Sequence, residues 1–140
     1  MLEVRSAKTR VIDPRIIGIW RLQRTKAVDD AGNLLPPPYS GEPAGIAVFQ
    51  ANGRMYALLT DGRMEMPGGE ARPLMAYTGS YTFDGATLST YPDASSEPGR
   101  LGSTQTRAVR FENDGMTLVP PRRMFAGVMQ HQELFWERID

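Results

Sequence analysis

The sequence predicts an all-β chain: a single antiparallel up-and-down β-barrel of about eight strands, with a short helical turn near the N-terminus. Three observations carry this. The dipeptides Asn52-Gly53, Asp84-Gly85 and Asp114-Gly115 each stand between alternating or β-branched residues, and they tolerate the positive φ angles that tight hairpins require. The flanking residues separate into two faces with a period of two. Helical periodicity is nearly absent, so a succession of short strands is expected to close on itself, which removes exposed edges.

Residues 1–15 read as an N-terminal extension and residues 16–140 as the barrel domain. The extension carries Arg5, Lys8, Arg10 and Arg15, interrupted by Glu3 and Asp13, and reads as a solvated tail; a helical turn within residues 1–17 is limited by Pro14. Strands are expected at 18–28, with Trp20, Leu22 and Val28, and at 128–138, with Leu134, Phe135 and Trp136. Asp29-Asp30-Ala31-Gly32 reads as a turn, Pro36-Pro37-Pro38 as a rigid loop, and 62–73 and 92–103 as loops rich in Gly, Pro and Ser.

Pairing outward from Asp84-Gly85 sets Phe83 against Ala86 and Tyr81 against Leu88 on an apolar face, with Thr82, Thr87, Ser80 and Ser89 on the other. Pairing from Asp114-Gly115 sets Phe111 against Leu118 and Val109 against Pro120. The Asn52-Gly53 hairpin differs. Phe49, Ala47, Tyr56 and Leu58 share one face, Val48, Ile46, Ala57 and Leu59 the other, and both are apolar. Either residues 1–17 cover its outside, or the 44–60 hairpin forms a homodimer interface.

Composition excludes several classes. The formal charge is zero, so no basic stripe offers counterion release to nucleic acid. No apolar run is long enough to span a membrane as a helix. The start, Met-Leu-Glu-Val-Arg-Ser, lacks the apolar centre of a secretory leader, so a cytoplasmic location is expected. Cysteine is absent, which removes disulfides, thiolate metal sites and cysteine nucleophiles. His131 is the sole histidine, so neither a serine triad with a histidine base nor a histidine-based metal site can be assembled; no metal and no cofactor are expected. If Trp136 and Arg138 point inward, His131 points outward beside Glu133. Gly68-Gly69 and the Gly99–Gly102 stretch precede no helix and are loop glycines rather than phosphate cradles.

Gly18-Ile19-Trp20-Arg21-Leu22 resembles the Gly-x-Trp start of the first strand in lipocalins, and Phe135-Trp136-Glu137-Arg138 resembles the last strand of the bacterial lipocalin-like family, a calycin-type barrel. Tyr77–Tyr81 and Gly102–Arg110 also look like that family's middle strands, so the resemblance covers about residues 16–139. It implies that Trp20 packs at the closed end of the barrel under Arg138, as a cation–π contact, with Gly18 completing the signature. Members often carry His where this chain has Ser89 and Thr90, so chemistry resting on those histidines does not carry over. The resemblance implies a fold and leaves the activity open.

Counting back from Asp114-Gly115 puts Phe111, Val109, Arg107 and Gln105 on the inward face and Arg110 outside. An arginine inside a barrel keeps its charge, so Arg107 needs an internal partner, the wet barrel mouth, or a ligand carboxylate. Tyr56, Tyr77 and Tyr81 fall on predicted inward faces, either as core residues bonded to backbone or as phenols that orient a ligand. Gly45 and Gly79 are expected to leave room inside, and Met64 and Met66 to sit on a loop near the mouth. The leading expectation is a barrel binding a small apolar or amphipathic molecule, which an acidic group would complete, with Phe49, Tyr56, Tyr77, Tyr81, Gln105 and Arg107 lining the interior. The alternatives are a metal-free lyase, isomerase or cyclase working through Tyr and Arg, and a filled barrel acting as an interaction module.

Overall fold

A computed structural model describes residues 11–140. Ten strands follow in order: β1 Gly18–Val28, β2 Leu34–Leu35, β3 Pro43–Phe49, β4 Arg54–Asp61, β5 Leu74–Phe83, β6 Thr87–Ser95, β7 Gln105–Glu112, β8 Gly115–Val119, β9 Arg123–Phe125 and β10 Val128–Arg138. All neighbours pair antiparallel, in the order β2-β1-β3-β4-β5-β6-β7-β8-β10-β9, and β1 also pairs with β10. That last pairing closes eight strands into the expected all-β barrel; β2 and β9 are short additions beside β1 and β10. Helix among the described residues is limited to 3-10 turns, and no helix is long and apolar enough to cross a membrane.

The expected helical turn is Pro14–Ile16, opened by Asp13, whose carboxylate accepts from the Arg15 amide, with proline in the first turn. Asp13 N donates to the Phe83 carbonyl and Phe83 N to the Val11 carbonyl, which ties this segment to the end of β5. Ile16 is then fully buried beneath the barrel. The expected solvated tail with Arg5, Lys8 and Arg10 lies outside the described residues, as does most of the 1–17 segment proposed to cover the 44–60 hairpin.

The three turn dipeptides all mark hairpins, but none sits where simple pairing puts it. At Asp84 the carboxylate caps the amides of Ala86 and Thr87, and the loop lengthens so that Phe83 faces Leu88 instead of Ala86. Farther on, the turn is Asn113-Asp114, with Asn113 at φ 54°, and Phe111 faces Met116 instead of Leu118. Both slips are of two residues, so the predicted faces survive.

At Asn52 the slip is of one residue. Gly53 adopts φ 86° and donates to the Gln50 carbonyl, making a three-residue loop that sets Phe49 against Met55. Every side chain of β4 therefore changes face. Tyr56, expected inside, lies on the outer wall with half its surface exposed, and Leu58 joins it; Met55, Ala57 and Leu59 are the buried set. Residues 92–95, expected as loop, continue β6.

Candidate functional site

One end of the barrel is closed by aromatic packing. Trp20 is buried and donates its indole N–H to the Ile16 carbonyl at 2.9 Å. The Arg138 guanidinium lies 4.3 Å from the Trp20 ring centroid and donates to the Ile17 carbonyl at 2.8 Å and the Arg15 carbonyl at 2.5 Å. Arg15 in turn covers Phe111 at 4.9 Å, and Phe111 meets Phe83 edge-on at 5.8 Å. Gly18 has φ 143°, and a Cβ there would fall on the Arg138 guanidinium. Glycine at this position is thus the condition for Arg138 to reach its carbonyls.

Above this floor the barrel encloses a cavity of about 420 Å³. Its depth is apolar: Phe49, Met55, Ala57, Leu88, Leu118 and Trp136 reach it from five strands. The mouth is polar and comes largely from connections. Tyr39 enters from the Pro36–Pro38 loop, Glu97 and Arg100 from the turn after β6, and Arg123 from β9, while Gln130 and Gln132 stand on the inward face of β10. Gln132 donates to the Gln130 side-chain oxygen at 3.1 Å, and Gln130 to the Phe125 carbonyl at 3.2 Å.

Arg107 stands between these zones. It projects from the inward face of β7, and its only hydrogen bond among the described residues runs to the adjoining Thr106 carbonyl at 2.9 Å. Burial pushes its pKa down; Tyr77 opposes that, and the like charges of Arg100 and Arg123 add to it. Arg100 is better satisfied, pairing with Glu97 at 3.1 Å, donating to Gln105 at 2.9 Å and lying 5.8 Å from the Tyr77 ring centroid. Burial raises the Tyr39 pKa, Glu97 adds to the rise, and the surrounding arginines oppose it.

The two loops framing the mouth are tied to the wall. The Thr25 hydroxyl donates to the Pro38 carbonyl at 2.5 Å. Buried Asp61 accepts from Arg63 through both carboxylate oxygens, Nε at 3.0 Å and Nη2 at 2.7 Å, and hydrogen-bonds Ser40, which holds its pKa at about 2. Arg72 gathers the carbonyls of Asp61, Arg63 and Met64. Tyr39 and Ser40 both carry positive φ, 61° and 67°, a bend fixed by these anchors. Met64 is almost wholly exposed and neither it nor Met66 lines the cavity.

Of the residues expected to line the interior, Phe49, Tyr77 and Arg107 do. Tyr81 is inside but below the cavity, edge-on to Phe49 at 5.1 Å, with its hydroxyl donating to the Gln50 carbonyl at 2.8 Å. Gln105 does not line the cavity; it holds Arg100 and donates to Ser103. Tyr56 is outside. Gly45 and Gly79 do not widen the lumen: a Cβ on Gly45 would come 2.6 Å from the Leu58 carbonyl, and one on Gly79 would collide with the Tyr91 carbonyl. They permit close strand approach instead. His131 points outward, 2.8 Å from Asp30, which also accepts from Arg122 at 3.0 Å.

Tyr39, Arg100, Arg123, Gln130 and Gln132 were not anticipated at the cavity. Gln130 and Gln132 follow from the alternation that turns Trp136 inward; the others lie in irregular segments whose direction no period encodes. No group of three or more His, Cys, Asp or Glu among the described residues is arranged to hold a metal ion.

Residues 17–139 match a family model described as a lipocalin-like domain. None of the curated proteins compared with the chain matches it.

Proposed function

The chain is a member of the lipocalin-like domain family, and on that premise we propose that its barrel binds one small, largely apolar molecule carrying an acidic group. The carrying observation is Arg107: a half-buried cation without a carboxylate partner among the described residues, at the boundary between an apolar depth and a polar mouth. A cavity of about 420 Å³ is at the small end of ligand pockets, roughly 300–1,000 Å³. An anion beside Arg107 would replace the water its guanidinium gives up on burial and would meet it in a low-dielectric setting, where charge-assisted hydrogen bonds are strong.

Native mass spectrometry for a co-purified molecule, followed by titration of medium-chain and aromatic acids against intrinsic tryptophan fluorescence, tests this directly. Trp136 lines the cavity and supplies the signal. Arg107→Met is expected to weaken an acidic ligand by about 2–5 kcal/mol, the effect of removing one partner of a buried charge pair. Unchanged affinity would end the anchor role.

A second reading concerns the outer wall. Ile19, Val48 and Tyr56 stand opposite one another across β1, β3 and β4, with Ile46 and Leu58 in the adjoining row. Ile19, Tyr56 and Leu58 are 38–50% exposed. This is the apolar outer face of the 44–60 hairpin, and it favours self-association through that hairpin. Sedimentation at rising concentration tests it: a dimer that Tyr56→Lys splits supports the reading, and a monomer throughout removes it.

A further inference from the structure

The charges at the cavity mouth do not balance. Among the described residues three arginines line it, Arg100, Arg107 and Arg123, against one carboxylate, Glu97. Glu97 is already engaged by Arg100, whose second nitrogen is taken up by Gln105. Two guanidinium groups are left without a carboxylate among the described residues. Among the described residues the Arg107 side chain bonds only the Thr106 carbonyl, and Arg123 lies 5.2 Å from the centroid of the Phe125 ring. Arg107 is half-buried and Arg123 exposed, and both line the same cavity.

Resting on the interior-binding reading, we infer that the head group is a dianion, and specifically that the ligand class is a phosphate monoester of an apolar alcohol. A carboxylate presents two oxygens and one charge, which matches one guanidinium and leaves the other unmatched. A phosphate monoester carries about −1.5 to −2 charges near pH 7 and three peripheral oxygens, enough to bridge Arg107 and Arg123. Tyr39 also lines this cavity and adds a hydroxyl donor. The apolar tail then runs down past Leu88 and Leu118 toward Phe49 and Trp136. The bound anion supplies the two negative charges that this end of the barrel lacks.

The test compares decyl phosphate, decanoate and decanol, each below its micelle concentration, by fluorescence titration of the full chain at pH 7.5. Decyl phosphate is expected to bind at least about tenfold more tightly than decanoate, and decanoate more tightly than decanol. Arg123→Gln should bring decyl phosphate down to the level of decanoate while leaving decanoate within about twofold. Lowering the pH to 5.5, below the second phosphate pKa of about 6 yet above the carboxylate range, should shrink the advantage. Equal binding of the two anions, or an Arg123→Gln variant that loses both equally, would overturn the dianion inference. Equal binding of all three compounds would overturn it while leaving an apolar binding barrel intact. Binding of none would take the interior-binding reading with it.

Discussion

The two ends of the barrel are built from the same residue types to opposite effect. Each end places an arginine against aromatic and polar neighbours. At the closed end Arg138 stacks on Trp20 and donates to two main-chain carbonyls, and Trp20 is itself bonded to Ile16. At the open end the Arg107 side chain has one hydrogen bond among the described residues, to the carbonyl next to it in sequence, and burial lowers its pKa. A half-buried cation with its donors used ties the fold together; one with donors to spare is a cost that a ligand can offset. The difference separates the part of the molecule that holds the barrel shut from the part that recognises.

Mutations can break this contrast from either side. The largest effect is expected from Trp20→Ala, which empties the centre of the closed end and should cost about 3–5 kcal/mol in urea unfolding. It should do so whether or not a ligand is present. A loss below about 1 kcal/mol would mean that the closed end is not the structural anchor. Next comes Gly18→Ala, where a Cβ meets Arg138 at a φ that alanine rarely adopts. An expected loss of about 1–3 kcal/mol should shrink in the Arg138→Ala background, where the nearest clash partner is gone while the φ strain and the Asp140 carboxylate remain. Additive losses in the double variant would refute the geometric role given to this glycine.

These two positions were legible through the resemblance of Gly18-Ile19-Trp20 to the first strand of lipocalins. The period of two is why two misplaced hairpins did no harm and the third did. Slips of two residues at Asp84 and Asn113 leave Tyr81, Phe83, Val109, Arg107 and Phe111 on the faces that alternation gives them. The slip of one at Asn52 sends Tyr56 outside and brings Met55 in, and the choice between a two-residue and a three-residue loop is written only in the φ of Gly53. The mouth is harder to read. Tyr39, Arg100 and Arg123 come from a proline-rich loop, a 3-10 turn and a three-residue strand, where side-chain direction depends on tertiary anchors such as Asp61 and Arg72.

The smallest expected effect sharpens the account of those anchors. Pairing with Arg63 lowers the Asp61 pKa to about 2 from 3.8, so its contribution to stability is complete above pH 3.8 and is lost as the pH falls toward 2. Asp13, Asp29, Asp30, Asp84 and Asp93 are shifted in the same direction, each by its own hydrogen bonds, so the thermal midpoint should fall across this window in any case. Asp61→Asn should make that fall shallower and should speed hydrogen exchange in residues 36–42 and 62–73 at neutral pH. Exchange unchanged in both loops would show that Asp61 does not tie them.

Arg138 and Arg107, both arginines on inward strand faces, thus do opposite work at the two ends. Paired thermal melts of Arg138→Met and Arg107→Met, each with and without saturating decanoate, test it most directly. Arg138→Met should lower the midpoint in both conditions and keep the ligand-induced rise, whereas Arg107→Met should equal or exceed the wild type alone and lose that rise. A destabilised Arg107→Met that still responds fully to decanoate would contradict it.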